Sequence, residues 1–184
     1  MNLLYAPIDV VIAEFIGISA VLVMNHLLAK KDRNGWLYYF ISSLFIIYVL
    51  LFKDSLMSII NQSMMAILAI KNYYFFTNPN HQYHQYHQYF NQISIIVFII
   101  SLLFMNSFDG KYLSELLLWG FIIARTIFLG KNHISGWIFQ ILQCITSIAF
   151  GLYRDMFLYV IVGFIFTIQS IYGYWKWKEM VNKQ

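Results

Sequence analysis

Residues 30–36 read KKDRNGW, and residues 131–137 read KNHISGW. In each stretch basic or polar residues close a long apolar run, and a Gly-Trp pair opens the next. The stretches stand 101 residues apart, and at that spacing the register holds without a gap from residue 14 to residue 76. Glu14 falls on Glu115, Lys53-Asp54 on Arg154-Asp155, and Tyr73 on Tyr174. Twelve of these 63 positions are identical. Apolar matches come easily in a biased composition, so the charged and Gly-Trp matches carry the argument. Weak internal similarity of this kind marks duplicated units in membrane proteins.

Composition supports that setting. Of 184 residues, 60% are hydrophobic and 11% charged. A globular domain carries roughly 25% charged residues. Twenty charges cannot cover a soluble surface, and an apolar excess of this size excludes disorder. The net charge of +4 reads as orientation in a bilayer rather than affinity for nucleic acid. Cys144, the only cysteine, excludes an internal disulfide and a CxxC redox pair. The start, MNLLYAPIDV, lacks a basic n-region, so no cleaved signal peptide is expected.

Apolar runs of about 20 residues suit membrane-spanning helices. They predict helices over 8–29, 35–52, 55–76, 93–108, 112–130, 134–153 and 155–177. The repeat organises these as two three-helix units, 8–76 and 112–177. Between them lie a polar loop, 77–91, and a connector helix, 92–108. The expected fold is therefore an all-α integral membrane domain of seven helices, with two parallel repeats joined by the connector. Placing the N-terminus outside puts Lys30, Lys31, Arg33, Lys71, Lys131, Lys176, Lys178 and Lys183 on the inner side. Only Lys53, Lys111 and Arg154 then lie outside. The positive-inside rule thus predicts an external N-terminus and a cytoplasmic C-terminus in the plasma (inner) membrane.

Further residues carry a resemblance. The second unit has LGK at 129–131, Trp137, GLYRDMFLYV at 151–160 and SIYGYWKWKE at 170–179. The first keeps Glu14, Trp36, Phe52-Lys53-Asp54 and Asn72-Tyr73-Tyr74. The chain resembles the PnuC-type family of vitamin transporters over nearly its whole length. It departs where Asn72 stands in the first unit and Gly173 in the second. The resemblance implies uptake of nicotinamide riboside by facilitated diffusion, for NAD biosynthesis, uncoupled from ions or ATP and without a cofactor. Thiamine and riboflavin are the family's alternative cargoes. Proteins of the SWEET type share the 3+1+3 count and suggest a sugar carrier. They place prolines in the first helix of each repeat, and here Pro7 and Pro79 lie outside the helices. A non-transporting accessory subunit is the remaining alternative.

The expected partners are a small vitamin and the lipid bilayer, with no nucleic acid; self-association is left open. Amides are too polar to face lipid and suit the edges of a heterocycle, while indoles suit its faces. The candidate substrate-binding residues are Asn61, Gln62, Trp137, Gln140, Gln143, Gln169, Tyr172 and Trp175. Polar and small residues form stripes at Trp137, Gln140, Cys144, Ser147 and Gly151, at Gly163, Thr167, Ser170 and Tyr174, and at Gln62, Ala66, Ala69 and Tyr73; in them Gly151, Gly163, Ala66 and Ala69 read as close helix packing. Glu14 and Glu115 are expected to cap or pair with outer Lys53 and Arg154. Arg125, about five residues from an inner helix end, is expected to snorkel, with a polar substrate group as the other reading. No catalytic constellation or metal site is expected. His81, His84 and His87 repeat every three residues, which clusters no ligands on one helix face. Low-complexity expansion is the favoured reading, and metal binding by that loop is left open.

Overall fold

The computed structural model describes residues 7–52, 56–76, 81–101, 110–153 and 157–183. They form seven α-helices: α1 (Ile8–Ala29), α2 (Asn34–Leu51), α3 (Leu56–Phe75), α4 (His81–Ser101), α5 (Gly110–Gly130), α6 (Ser135–Tyr153) and α7 (Phe157–Asn182). The chain is all-helical, as its apolar runs predict. Lys53, Arg154, the Glu115 side chain and residues 102–109 lie outside the described residues, and with them the expected outer ion pairs.

The connector differs from its expected bounds. α4 begins at His81, inside the segment expected as a loop. Polarity alone does not break a helix, and no Gly or Pro lies between His81 and Ser101 to interrupt the hydrogen-bond ladder. α7 likewise continues past Trp177 to Asn182.

The two stretches that open the repeat fold alike. After α1, Lys31 adopts φ 56°. Its N–H donates to Leu28 O at 2.9 Å, and Asp32 N–H donates to Leu27 O at 3.0 Å. After α5, Asn132 adopts φ 56°. Its N–H donates to Leu129 O at 3.0 Å, and His133 N–H donates to Phe128 O at 2.9 Å. Both ends are Schellman closures, which satisfy the helix's orphan carbonyls with a left-handed residue. The next helix is then held by a side-chain acceptor. Asn34 N–H donates to Asp32 Oδ1 at 2.9 Å, and Ser135 N–H to His133 Nδ1 at 3.3 Å. The glycines of the Gly-Trp pairs let the helices approach. A Cβ on Gly35 would lie 2.7 Å from Leu28 Cγ, and one on Gly136 would lie 2.6 Å from Leu129 Cγ.

The main helix pairings run in a closed circuit: α1 on α2, α2 on α3, α3 on α5, α5 on α6, α6 on α7 and α7 on α1. α4 packs against α3 and α5. The large core draws Met24, Leu28, Trp36, Met65, Leu129, Trp137 and Trp177 into this circuit. The outer surface is apolar, with Ile8 80%, Phe15 72% and Ile168 70% exposed. The inside is rich in polar groups, among them fully buried Asn25, Ser42, Ser43, Asn72, Gln140 and Ser170. Apolar side chains out and polar side chains in is the arrangement of a protein whose surroundings are lipid. By length and composition, α1 and α2 are each long and apolar enough to cross a membrane.

Candidate functional site

α1 buries a stripe spaced by three and four: Ala13, Gly17, Ala20, Met24, Leu28. Its small members let α2 pack closely, with Gly17 facing Ile46. Asn25 stands beside that stripe and is fully buried. It joins three helices. Gln140 Nε2 of α6 donates to Asn25 Oδ1 at 2.7 Å, and Asn25 Nδ2 donates to Gln169 Oε1 of α7 at 3.1 Å. Gln169 Nε2 returns a bond to Leu22 O at 3.3 Å. α1 and α6 are not adjacent in the circuit, so the Asn25–Gln140 bond crosses its interior.

A second crossing lies 101 residues away in register. Tyr39 of α2 occupies the position of Gln140, and Thr126 of α5 that of Asn25. Tyr39 Oη lies 3.5 Å from Thr126 Oγ1, which itself donates to Ile122 O at 2.7 Å. Tyr39 is thus the donor, and α2 is tied across to α5. Asn72 Nδ2 of α3 donates to Thr126 O at 3.1 Å. Arg125, the next residue on α5, places its guanidinium 4.9 Å from the Tyr39 ring. Its Nη1 donates to Gln143 Oε1 at 3.1 Å. Gln143 and Gln140 stand one turn apart on α6, so that helix meets both Asn25 and Arg125.

The indoles flank these crossings in a matching way. Trp36 meets Phe76 edge-on at 6.2 Å, and Trp137 meets Trp177 edge-on at 5.9 Å. Phe76 and Trp177 are themselves 101 residues apart. Trp177 Nε1 donates to Leu28 O at 2.9 Å. Trp137 lies flat over Gly173, where a Cβ would stand 2.5 Å from the ring.

Several buried polar atoms in this region have no protein partner: Trp36 Nε1, Trp137 Nε1, Gln140 Oε1, Asn72 Oδ1, Arg125 Nε and Ser42 Oγ. Native interiors leave few such atoms, because each costs about 1–3 kcal/mol. Unpartnered donors and acceptors of this kind are groups that a guest could satisfy. By contrast, the groove of about 280 Å³ between α3 and α4, lined by Ile67, Ile70, Lys71, Tyr74, Phe75 and Phe90, is almost wholly apolar.

A family model described as "Nicotinamide mononucleotide transporter" matches residues 11–179. The chain belongs to this family. No curated protein and no solved structure matches it. Membership makes it a membrane transporter, and the matched span covers the two crossings and the three tryptophans that flank them, Trp36, Trp137 and Trp177.

The expected site residues fall into three groups in this transporter. Trp137, Gln140, Gln143 and Gln169 lie in or beside the crossings. Asn61 and Gln62 are buried on α3, at 1% and 5% exposure. Tyr172 and Trp175 stand on the outer face of α7, at 45% and 58% exposure, with the Lys178 ammonium 5.5 Å from the Trp175 ring. The small residues of the stripes serve packing: Cys144 Sγ lies 3.9 Å from Ser170 Oγ, and Gly163 abuts Ile148. Arg125 does not snorkel; it is 4% exposed and turned toward Tyr39. Asn25, Tyr39, Asn72 and Thr126 are absent from the sequence-based set. The signal for them was the repeat itself, because Asn25 and Thr126 are polar mates inside apolar runs, as are Tyr39 and Gln140.

Proposed function

We propose that this transporter carries a nicotinamide-ribose compound into the cell by facilitated diffusion. The observation that carries this reading is the pair of cross-circuit hydrogen bonds, Gln140–Asn25 and Tyr39–Thr126, at repeat-related positions and surrounded by unpartnered polar atoms. Trp137 Nε1 offers a donor and Gln140 Oε1 an acceptor, one turn apart on α6. A ligand carboxamide presents the complementary acceptor and donor. Trp36 Nε1 and Asn72 Oδ1 are a further unpartnered donor and acceptor. The indoles and Tyr39 suit the flat faces of a heterocycle. The binding set proposed from these contacts is Trp137, Gln140, Gln143 and Gln169, joined by Asn25, Tyr39, Asn72 and Thr126.

The mechanism follows from the circuit. We read α1–α3 and α5–α7 as two parallel repeats with α4 as connector, related about an axis along the membrane normal. The matched turns and matched crossings support that reading. The two crossings close the interior. Cargo exchanging its own hydrogen bonds for theirs releases one unit from the other, so each unit rocks and opens the site to one side at a time. Among the described residues no Asp or Glu is buried, which agrees with an uncoupled carrier.

Binding to purified protein tests the site. Nicotinamide riboside and its 5′-phosphate are titrated against thiamine and riboflavin by isothermal calorimetry. The reading predicts that a nicotinamide-ribose compound binds at least tenfold more tightly than the other two. Preference for thiamine or riboflavin contradicts it. For orientation, a reporter fused to the C-terminus is expected to be active only in the cytoplasm; activity on the outer face contradicts the proposed topology.

A further inference from the structure

The groove between α3 and α4 stands apart from the two crossings and holds a charge that they do not use. Lys71 lines it with its methylene stem and is 4% exposed. Its Nζ donates to Asn91 Oδ1 at 2.6 Å, so a neutral amide takes one of the ammonium's three donors. Asn91 is 5% exposed, and its Nδ2 is left without a hydrogen-bond partner. Lys131 acts on the ammonium with like charge. Among the described residues no acid lines the groove. What stands open here is positive charge and donor capacity, which an anionic oxygen satisfies. A charged side chain at membrane depth is costly and is normally paired or functional.

The rest of the groove suits hydrocarbon. Its other walls are apolar or aromatic, and the half-exposed Ile67 and Ile70 open it to the surrounding lipid. Depth follows from the helix rise of about 1.5 Å per residue. Lys71 stands one turn before the Phe75 end of α3, about 6 Å along the axis, and Ile67 about 12 Å. The cation therefore lies near the membrane face where α3 ends, and apolar walls continue from it toward the bilayer centre. A phospholipid has the same layout, with its charged headgroup outermost and its chains inward. A free anion leaves those walls without a partner.

We propose that this groove binds one anionic phospholipid, with an acyl chain along Ile67, Ile70 and Phe90 and the phosphate on Lys71. Basic pockets between transmembrane helices hold anionic headgroups in this way. The flexible lysine stem stays in the groove while the ammonium reaches the headgroup. The bound lipid bridges α3 and α4 and steadies their contact. In the proposed topology the site faces the cytoplasmic leaflet. It is independent of which cargo the crossings bind.

The test is lipid retention by the purified transporter, read by native mass spectrometry after incubation with equal amounts of phosphatidylglycerol and phosphatidylcholine of identical chains. The wild type is expected to retain one phosphatidylglycerol per chain, at least about fivefold in excess over phosphatidylcholine, the ratio that a single lysine at the membrane surface supplies. Lys71→Met removes the ammonium, and Ile70→Trp fills the groove. Each is expected to bring the two lipids within about twofold of one another, while Lys178→Gln, at an exposed lysine on α7, keeps the preference. Added inorganic phosphate is expected to leave the lipid in place. Equal retention by the wild type, or a preference that survives either groove variant, overturns the proposal. Loss of the preference in Lys178→Gln assigns it to general surface charge and overturns it too, and displacement by inorganic phosphate makes the site one for a free anion instead. Should Lys71→Met not fold, the wild-type ratio and Ile70→Trp, which alters an outward-facing side chain, decide the matter.

Discussion

Gln140 on α6 and Asn25 on α1 share a 2.7 Å hydrogen bond between helices that are not neighbours in the circuit. Removing one partner leaves the other buried and unsatisfied, which costs about 1–3 kcal/mol. Gln140→Leu is therefore expected to lower thermal stability by that amount and to weaken cargo binding at least tenfold. Asn25→Ala is expected to do the same. The double variant should be less destabilised than the sum of the two, because the shared bond is lost only once. Additive losses in a denaturation cycle contradict a direct role for the bond.

Gly173 lies under the Trp137 ring, which leaves no room for a methyl group. Gly173→Ala is expected to destabilise the fold by about 1–3 kcal/mol through overpacking. Trp137→Phe, which shortens the ring system, should recover part of that loss. Unfolding monitored by intrinsic fluorescence or calorimetry reads both. A fully stable Gly173→Ala contradicts the packing described. The same contact explains the difference between the units: Asn72, at the equivalent place, makes the bond to Thr126 O instead.

The helix closures make a paired prediction. Lys31 and Asn132 hold the same left-handed conformation, which costs an ordinary residue roughly 1–2 kcal/mol, and asparagine less. Lys31→Gly is expected to raise stability by up to about 1 kcal/mol, after loss of the Lys31–Trp177 contact at 5.2 Å is counted. Asn132→Gly gains less, since it also gives up the bond from Asn132 Nδ2 to Phe76 O. Marked destabilisation by Lys31→Gly, seen in a thermal melt, contradicts this ranking.

Helices were legible in the sequence because apolar runs and their basic ends are local signals. Six of the seven begin within two residues of their expected start, from Ile8 of α1 to Phe157 of α7. The exception, α4, begins in a polar repeat whose residues tolerate a helix without announcing one. The candidate site was half legible. Gln140, Gln143 and Gln169 stood out as amides too large to act as spacers. Asn25 and Thr126 are smaller and stand beside other polar residues, His26 and Arg125, so what reveals them is the repeat and the partner across the circuit, which periodicity along one helix does not register. Trp175 belongs to the segment that carries the family resemblance, and Tyr172 stands one turn beyond Gln169. Helical spacing also places both on the outer side of α7, where Lys178 covers Trp175.

That placement separates two kinds of tryptophan. Trp175→Ala and Tyr172→Ala are expected to change cargo affinity less than twofold, since both side chains are exposed. Trp137→Phe is expected to weaken binding severalfold, because it removes the unpartnered Nε1 donor while keeping an aromatic ring. Titration of the three variants decides the point. A large loss in Trp175→Ala, with none in Trp137→Phe, places the site on the outer face of α7 instead.

Transport itself is the most direct measure of the account. Purified protein is reconstituted into proteoliposomes, and uptake of radiolabelled nicotinamide riboside and nicotinamide mononucleotide is followed with no ATP and no ion gradient. Saturable uptake of at least one of them is expected, stopping when the internal and external concentrations are equal and reduced at least tenfold by Gln140→Leu. No uptake of either compound, or accumulation that requires a proton or sodium gradient, contradicts it.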